Sequence, residues 1–275
     1  MDLDESEFGV SAKYIKKGLE IVESAKKRSI ELRLLGCVAV KLHCPKLRRF
    51  HEETMERHAT DLDFVALSKD RSKIRELLEE LGYNIMKTTV PMERRDIFKD
   101  KEEMKVDIFL DKLEMCHVID FKNRLQTDYP TISLADLILE KTQIVKINEK
   151  DIKDVIILLR EHDISDSEND IINGKYIAEL LAKDWGFYHT VTTNLKLIKD
   201  QFLEKWKHIL STEDRTNIAT KINMLVDKIE REPKSIGWKI RASAGTKKKW
   251  YRDVEEIEAK GEFQDELKKL LNKEQ

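Results

Sequence analysis

Three aspartates carry the chemistry that the sequence offers most clearly. Asp61 and Asp63 stand two apart in an apolar stretch, TDLDFVAL, that predicts a strand over residues 60–67. Side chains alternate faces along a strand, so both carboxylates point to one face while Leu62 and Phe64 point into the core. Two carboxylates on one face repel each other unless a cation lies between them. Mg²⁺ or Mn²⁺ suits such hard oxygen ligands, so the pair predicts a metal site.

Asp107 is the natural third carboxylate, because it lies in a further predicted strand over residues 104–110 (MKVDIFL). Three carboxylates on neighbouring strands would form a two-metal site for in-line displacement. The plain alternative is a solvated strand face, which an acidic chain explains without any metal. The residues alone leave both interpretations open.

The elements that would position these aspartates follow from periodicity and glycine placement. Gly36 ends one short apolar run and leads directly into a helix, while residues 44–58 are polar and basic and predict a loop or an exposed lead-in. The other elements predicted up to residue 160 are helices over 11–30, 37–43, 68–81, 134–141 and 152–159, and strands over 32–35, 83–90 and 94–99.

The remaining chain predicts a helical domain. Residues 161–170 (EHDISDSEND) carry one aliphatic side chain among acids and serines, which is typical of a linker. The predicted domains are therefore 1–162 and 163–275. Beyond the linker, four helices are predicted, near 171–184, 190–209, 212–231 and 250–272. The expected fold is α/β, strictly α+β, with a small mixed sheet flanked by helices and a helical C-terminal domain closing one side of the cleft.

The order of these motifs resembles the polymerase-β-type nucleotidyltransferase superfamily. A strand, a glycine turn and a helix (LLGCVAV, 34–40) precede the Asp61 and Asp63 segment, and Asp107 follows it. Within the superfamily, the chain is most similar to the AbiEii-like abortive-infection toxins, because a lysine in LEKT (139–142) precedes KDIKD (150–154) at the start of another helix. The resemblance covers roughly residues 30–160.

This resemblance implies metal-dependent transfer of a nucleoside monophosphate from an NTP to an acceptor hydroxyl, with Mg²⁺ or Mn²⁺ as the cofactor. The acceptor would be the end of a tRNA or other RNA, a protein or a small molecule. Asp61 and Asp63 would ligate both metals, and Asp107 would hold the catalytic metal and accept the hydroxyl proton. The other residues that the resemblance assigns to nucleotide binding are Gly36, Cys37, Arg57, Lys141, Asp151 and Asp154.

Two of these positions depart from the family pattern. Cys37 stands where the family has a second glycine or a serine, and Arg57 lies one residue away from the usual arginine. For Lys141 the plain alternative is a solvated helix face, and for Asp154 a surface acid. The resemblance also implies a toxin–antitoxin setting with a cognate antitoxin protein as partner. A non-catalytic nucleotide- or RNA-binding module on the same fold is the alternative function.

A basic stretch near the C-terminus adds a second candidate site. From Lys234 to Arg252 there are seven basic residues and no acid, with Trp238, Trp250 and Tyr251 interleaved. Such a stretch could neutralise phosphates and stack unpaired bases, or it could be a solubilising loop whose tryptophans pack on helices. The candidate nucleic-acid contacts are Lys239, Arg241, Lys247, Lys248, Lys249 and Trp250.

Composition excludes several other classes. A net charge of -2 gives no whole-chain signal for a nucleic-acid or membrane partner, and three scattered cysteines provide neither a disulfide framework nor zinc-ligand spacing. P-loop and nucleophile-elbow motifs are missing. An acidic N-terminus and the lack of a long apolar run predict a cytoplasmic protein with no membrane partner.

Overall fold

The computed structural model of the chain describes residues 8–86 and 93–253. Its strands in chain order are β1 Leu32–Leu35, β2 Leu62–Ala66, β3 Asn84–Ile85, β4 Arg95–Lys99, β5 Lys105–Leu110, β6 Lys112–Glu114, β7 Val118–Asp120, β8 Ile164–Ser165 and β9 Ile172–Asn173. The first five form one mixed sheet in the order β1-β2-β5-β4-β3. Within it β2 and β5 run parallel, and the other neighbours are antiparallel. β6 pairs with β7, and β8 with β9.

Helices flank the sheet and make up most of the C-terminal part. They are α1 Ala12–Lys27, α2 Gly36–His43, α3 Arg71–Glu80, α4 Leu134–Thr142, α5 Glu149–Glu161, α6 Gly174–Leu181, α7 Trp185–Leu197, α8 Leu203–Lys205, α9 Thr212–Arg231 and α10 Ile236–Ala244. Side chains of Ser133, Asn148 and Ser211 accept from free backbone N–H groups at the starts of α4, α5 and α9. The predicted mixed α/β fold, with a small mixed sheet flanked by helices, is confirmed.

The buried core continues across the predicted domain boundary. One cluster of buried apolar side chains runs from Phe8 in the N-terminal part to Ile229 in α9. Asn194 in α7 donates from its amide nitrogen to the carbonyls of Thr142 and Ile144, at 2.8 Å each. The division at residue 162 stays a prediction, and the two parts share one core.

The predicted loop over residues 44–58 is wrong. This segment contains a 3₁₀ turn at Pro45–Leu47 and a π-helical turn at Phe50–Thr54. Several of its polar side chains are buried, because each pairs with an opposite charge elsewhere in the fold. Oε2 of Glu52 forms a salt bridge with Nζ of Lys41 at 2.7 Å, and Arg57 donates to the carboxylate of Asp154 in α5.

Other differences are smaller. The hairpin of β6 and β7 and the helix α10 were not predicted. The predicted strand over 83–90 is reduced to β3 within the described residues, and 87–92 lie outside them. The predicted helix over 250–272 falls mostly outside the described residues, and residues 250–253 are not helical. Among the residues that the structure describes, no helix has the length and apolar character needed to cross a bilayer.

Candidate active site

The sheet brings two of the predicted carboxylates side by side. Asp63 in β2 is the register partner of Asp107 in β5, and on its other side Asp63 faces Leu35 at the end of β1. Register partners on adjacent strands point to the same face. Leu62 and Phe64 are fully buried on the opposite face, as the alternation predicted.

Asp63 is surrounded by negative charge. Its removal from water raises the pKa of its carboxyl well above the ordinary value, and Asp61, Asp107 and Glu140 raise this pKa further. Lys141 acts in the opposite direction but does not outweigh them. A carboxylate among three other acids has an unfavourable charge that a bound cation would relieve.

Asp107 forms salt bridges with two basic side chains. Its Oδ2 lies 2.8 Å from Nη2 of Arg95 in β4 and 2.8 Å from Nζ of Lys105, and the residue is 2% exposed. The two cationic side chains are about one-third exposed, at 33% and 37%. They therefore have room to turn into solvent if another cation takes the carboxylate.

The three aspartates offer the type of ligand atom that a hard divalent cation prefers. Asp61, Asp63 and Asp107 offer only carboxylate oxygens, which Mg²⁺ and Mn²⁺ prefer. Asp63 and Asp107 share one face, and Asp61 is near enough to raise the pKa of Asp63. Within the described part of the chain, no three acidic, histidine or cysteine side chains are already arranged around one point as metal ligands. Asp107 would have to exchange its pairs with Arg95 and Lys105 to become a ligand.

Gly36 joins β1 to α2 without a loop, and its backbone is pressed against Asp63. Its φ of +72° is unfavourable for other residues, and a Cβ placed there would lie 2.7 Å from Oδ2 of Asp63. Its N–H donates to Oε2 of Glu140 at 3.2 Å. Glycine is thus required both by conformation and by the close approach of a carboxylate. The N–H of Gly36, a residue that the resemblance places against the triphosphate, already donates to the side chain of Glu140.

A second cluster lies behind this turn, around Asp154 in α5. The Asp154 side chain is fully buried, and Arg57 donates to both of its oxygens at 2.9 and 3.0 Å. Nζ of Lys141 lies 3.2 Å from Oδ2, and Nε2 of His51 lies 3.1 Å from Oδ1. Burial alone would raise the pKa of Asp154, but Arg57 and Lys141 outweigh burial and hold it well below its usual range.

Lys141 connects the two clusters. Its Nζ lies 3.2 Å from Oε1 of Glu140 and 3.5 Å from Oδ1 of Asp151, besides its contact with Asp154. Burial lowers the pKa of this amine, but Glu140 and the two aspartates raise it well above its ordinary value. The lysine is therefore a fixed cation, 6% exposed, and the alternative of a solvated helix face is wrong.

The structure also corrects the alternative for Asp154, which is not a surface acid. Sequence reasoning missed Glu140 and His51, and also Arg95 and Lys105, which pair with Asp107. Glu140 adjoins Lys141 in a helix whose every residue is buried, so an acid at that position could have been flagged. His51 lies in the segment predicted as a loop, where no local pattern indicates burial.

Cys37 is the second residue of α2 and lies beside this second cluster. The residue is 6% exposed, and burial raises the pKa of its thiol to about 11. The side chain is therefore a neutral thiol at physiological pH, and it leaves its backbone N–H as the group that could face an anion.

The predicted nucleic-acid contacts have mixed surroundings. Lys239, Lys247, Lys248 and Lys249 are exposed. Arg241 lies over the ring of Trp185 at 4.6 Å and donates to the carbonyl of Gly245 at 2.9 Å. Trp250 packs edge-on against Trp185 and His189 of α7 and donates its indole N–H to Thr190 at 3.1 Å. This segment thus contacts α7, and its exposed cations are the four lysines and Arg252.

Comparisons with known proteins give distant structural likenesses. No family model matches the chain, and no curated protein matches it. The solution structure of the antibiotic-resistance factor ANT(2'')-Ia is similar over 54% of this chain and 83% of its own, with 13% identity and a TM-score of 0.39. The crystal structure of ANT(2'')-Ia with adenylyl-2''-tobramycin covers 46% of this chain and 74% of its own, with 12% identity and a TM-score of 0.30.

A protein from H. pylori assigned as a nucleotidyltransferase covers 79% of this chain and 96% of its own, with 11% identity and a TM-score of 0.37. The three structures represent two proteins, one solved with an adenylylated compound and the other assigned as a nucleotidyltransferase. Scores and identities this low do not carry an activity from one chain to another. The chemistry of this site has to come from its own residues.

Proposed function

We propose that the chain transfers a nucleoside monophosphate from an NTP to an acceptor hydroxyl and releases pyrophosphate. The observation that carries the proposal is the register of Asp63 and Asp107 on parallel strands, with Asp61 next to them and a glycine backbone pressed against Asp63. Acids that repel one another beside a backbone N–H suit a substrate that brings both cations and phosphates.

In this proposal each residue has a limited task. Asp61, Asp63 and Asp107 would hold Mg²⁺ or Mn²⁺, which supplies charge neutralisation at the reacting phosphate when it is bound. Gly36 and Cys37 would offer backbone N–H groups to the triphosphate at the start of α2. Lys141 would neutralise phosphate charge as Glu140 moves away from Gly36.

The bond changes balance without any further reactant. The acceptor oxygen forms a bond to the α-phosphorus, the bond from that phosphorus to the bridging oxygen breaks, and pyrophosphate leaves with the electron pair. The hydroxyl proton passes to the carboxylate of Asp107. Asp154 is fully buried and accepts hydrogen bonds from both Nε and Nη2 of Arg57, so these two residues would act as positioning residues that hold Lys141 in place.

The finer assignment is also a proposal. Lys141, Asp151 and Asp154 meet in one cluster, which supports the AbiEii-like group over other nucleotidyltransferases. A toxin–antitoxin setting and a cognate antitoxin would follow from that membership. A small reading frame next to the gene and co-purification of its product would test this setting.

The alternative of a non-catalytic binding module is favoured by one observation. Asp107 is already neutralised by Arg95 and Lys105, so the fold does not need a metal to stabilise that acid. The two functions differ in their dependence on divalent cation. An enzyme should need the cation to bind NTP, whereas a module that binds through basic residues should not.

The deciding experiment is a transfer assay. Purified protein, Mg²⁺ and each α-labelled NTP are incubated with pooled cellular RNA and protein, beside an Asp61→Ala/Asp63→Ala variant and an Asp227→Asn control on the exposed side of α9. Label incorporated by the wild type and the control but not by the double variant would support the proposal. If neither transfer nor cation-dependent NTP binding occurs, the catalytic proposal is wrong and the binding module becomes the better account.

A further inference from the structure

A cavity of about 280 Å³ lies on the far side of the carboxylates from Gly36. Its lining includes Arg94, which precedes β4, and Arg95, the first residue of β4. Phe109 in β5 and Lys112 in β6 also line it. Arg95 belongs to both places, because it lines the cavity and donates to Asp107 at 2.8 Å. The cavity is therefore the immediate neighbour of the third carboxylate.

The sheet order places this cavity where the attacking group has to enter. Gly36 follows β1, Asp63 lies in β2, Asp107 in β5 and Arg95 in β4, and these strands are adjacent in that order. An in-line displacement needs the attacking and leaving oxygens on opposite sides of the phosphorus. If the triphosphate lies at the β1 side, the acceptor must approach from the β4 side.

The lining has three cations and two acids, Glu93 and Glu114, so its net charge is positive and favours an acceptor with a negative charge and a flat apolar part. Among the residues that the structure describes, Arg94 and Lys112 have only loose partners, Asp111 and Asp120, each at 3.4 Å. Their side chains are 44% and 30% exposed, so both cations retain free hydrogen-bonding capacity toward a phosphate. The guanidinium of Arg95 lies 5.0 Å from the centre of the Phe109 ring, which gives the cavity an aromatic wall.

The basic C-terminal stretch ends beside the same cavity. Nη1 of Arg252 lies 3.5 Å from Oε1 of Glu114, a lining residue, and its backbone N–H donates to the carbonyl of Cys116 at 3.0 Å. The exposed lysines 247–249 precede this contact directly. They could neutralise further phosphates of a chain whose last unit sits in the cavity.

We propose that this cavity is the acceptor subsite and that it holds a nucleotide by its phosphate, either free or at the end of a nucleic-acid chain. The inference rests on the proposed function and adds the side of approach and the chemical class of the acceptor. Arg94 and Lys112 bind the phosphate, and Phe109 packs against the base or ribose. Arg95 links the subsite to Asp107.

Equilibrium binding tests the subsite apart from the transfer reaction. The wild type is compared with Arg94→Gln/Lys112→Gln and with Lys175→Gln/Lys207→Gln, a control that removes the same charge from exposed lysines in α6 and after α8. The probes are a fluorescein-labelled RNA of about ten nucleotides, followed by anisotropy, AMP as its competitor, and ATP with Mg²⁺ by calorimetry. None of the four substituted residues belongs to the carboxylate site.

We expect the Arg94/Lys112 variant to bind RNA about ten-fold or more weakly than the control variant. The slope of log affinity against log salt should fall by about 1.4, the share of two phosphate contacts on a single strand. ATP affinity in the presence of Mg²⁺ should not change. If AMP competes with the RNA and also binds the Arg94/Lys112 variant more weakly, the cavity takes a free nucleotide as well. If AMP does not bind the wild type, the cavity takes only the end of a nucleic-acid chain.

The outcomes separate the two proposals. RNA and AMP affinities that change no more in the Arg94/Lys112 variant than in the control would overturn the subsite, as would a wild type that binds neither probe. A wild type that shows no Mg²⁺-dependent ATP binding would instead overturn the proposed function. Circular dichroism of each variant confirms that the fold is intact.

Discussion

Asp63 and Asp154 are aspartates of neighbouring clusters, but their surroundings are opposite. Asp63 lies among Asp61, Asp107 and Glu140, and its pKa is raised by loss of water contact and by these charges. Asp154 is fully buried but receives Arg57, Lys141 and His51, and its pKa is held low by the first two.

The contrast indicates that the Asp63 cluster serves function, whereas the Asp154 cluster stabilises the fold. A fold gains nothing from acids that repel one another, so the Asp63 cluster is the part that a ligand would complete. The Asp154 cluster is satisfied within the protein, and its charges hold Lys141 beside the turn at Gly36. Removing an acid should therefore have opposite effects on stability in the two places.

Asp154→Ala should have the largest effect. It leaves the guanidinium of Arg57 and the amine of Lys141 buried without their shared carboxylate, which costs about 3–5 kcal/mol of unfolding free energy. Urea denaturation followed by circular dichroism measures the loss. Asp227→Asn on α9 is the control and should stay within about 0.5 kcal/mol of the wild type. A loss for Asp154→Ala as small as that of the control would show that the cluster is not a support.

Gly36→Ala should come next, because a φ of +72° and a contact of 2.7 Å with Asp63 both oppose a Cβ. We expect a loss of about 2 kcal/mol and weaker Mg²⁺-dependent ATP binding. Gly237→Ala is the matched control, since a Cβ there meets no atom within 4 Å. The same denaturation experiment applies to both. Equal stabilities of the two variants would contradict the close approach to Asp63.

Much of the first cluster could be predicted from the sequence because its determinants are local. Alternation along TDLDFVAL predicted the face of Asp63, and the glycine after β1 indicated the turn. The parallel pairing of β2 with β5, which the spacing alone does not dictate, then brought Asp107 next to Asp63.

The second cluster could not be predicted in the same way, because its contacts are remote in sequence. Arg57 and Asp154 are separated by 97 positions, and His51 and Asp154 by 103. A stretch as polar as 44–58 gives no local sign that its charges are buried. The short helix α10 was missed for a related reason: Ile236 and Ile240 are exposed, so no buried apolar stripe marks it.

Asp63→Asn should stabilise the metal-free protein at neutral pH. It removes one of the mutually repelling charges while keeping the shape of the side chain, and we expect a gain of about 1 kcal/mol together with loss of transfer activity. Thermal unfolding in the presence of a chelator measures the gain. Asp227→Asn again serves as the control. A less stable Asp63→Asn protein would mean that Asp63 is satisfied by hydrogen bonds and that the two clusters do not differ as described.

The smallest effect is the pH dependence of that gain, and its sign follows from the raised pKa of Asp63. The folded protein binds this proton more readily than the unfolded chain. Asp63 therefore adds to the free energy of unfolding below the ordinary aspartate pKa of about 4. This contribution is lost as the pH rises through the pKa that Asp63 has in the folded protein. Asp63→Asn does not titrate at this position, so its advantage should be largest near neutral pH and should shrink on acidification. Melting temperatures of both proteins between about pH 4.5 and 8 would show the two curves converging toward acid. Parallel curves would show that the carboxyl is not under electrostatic strain.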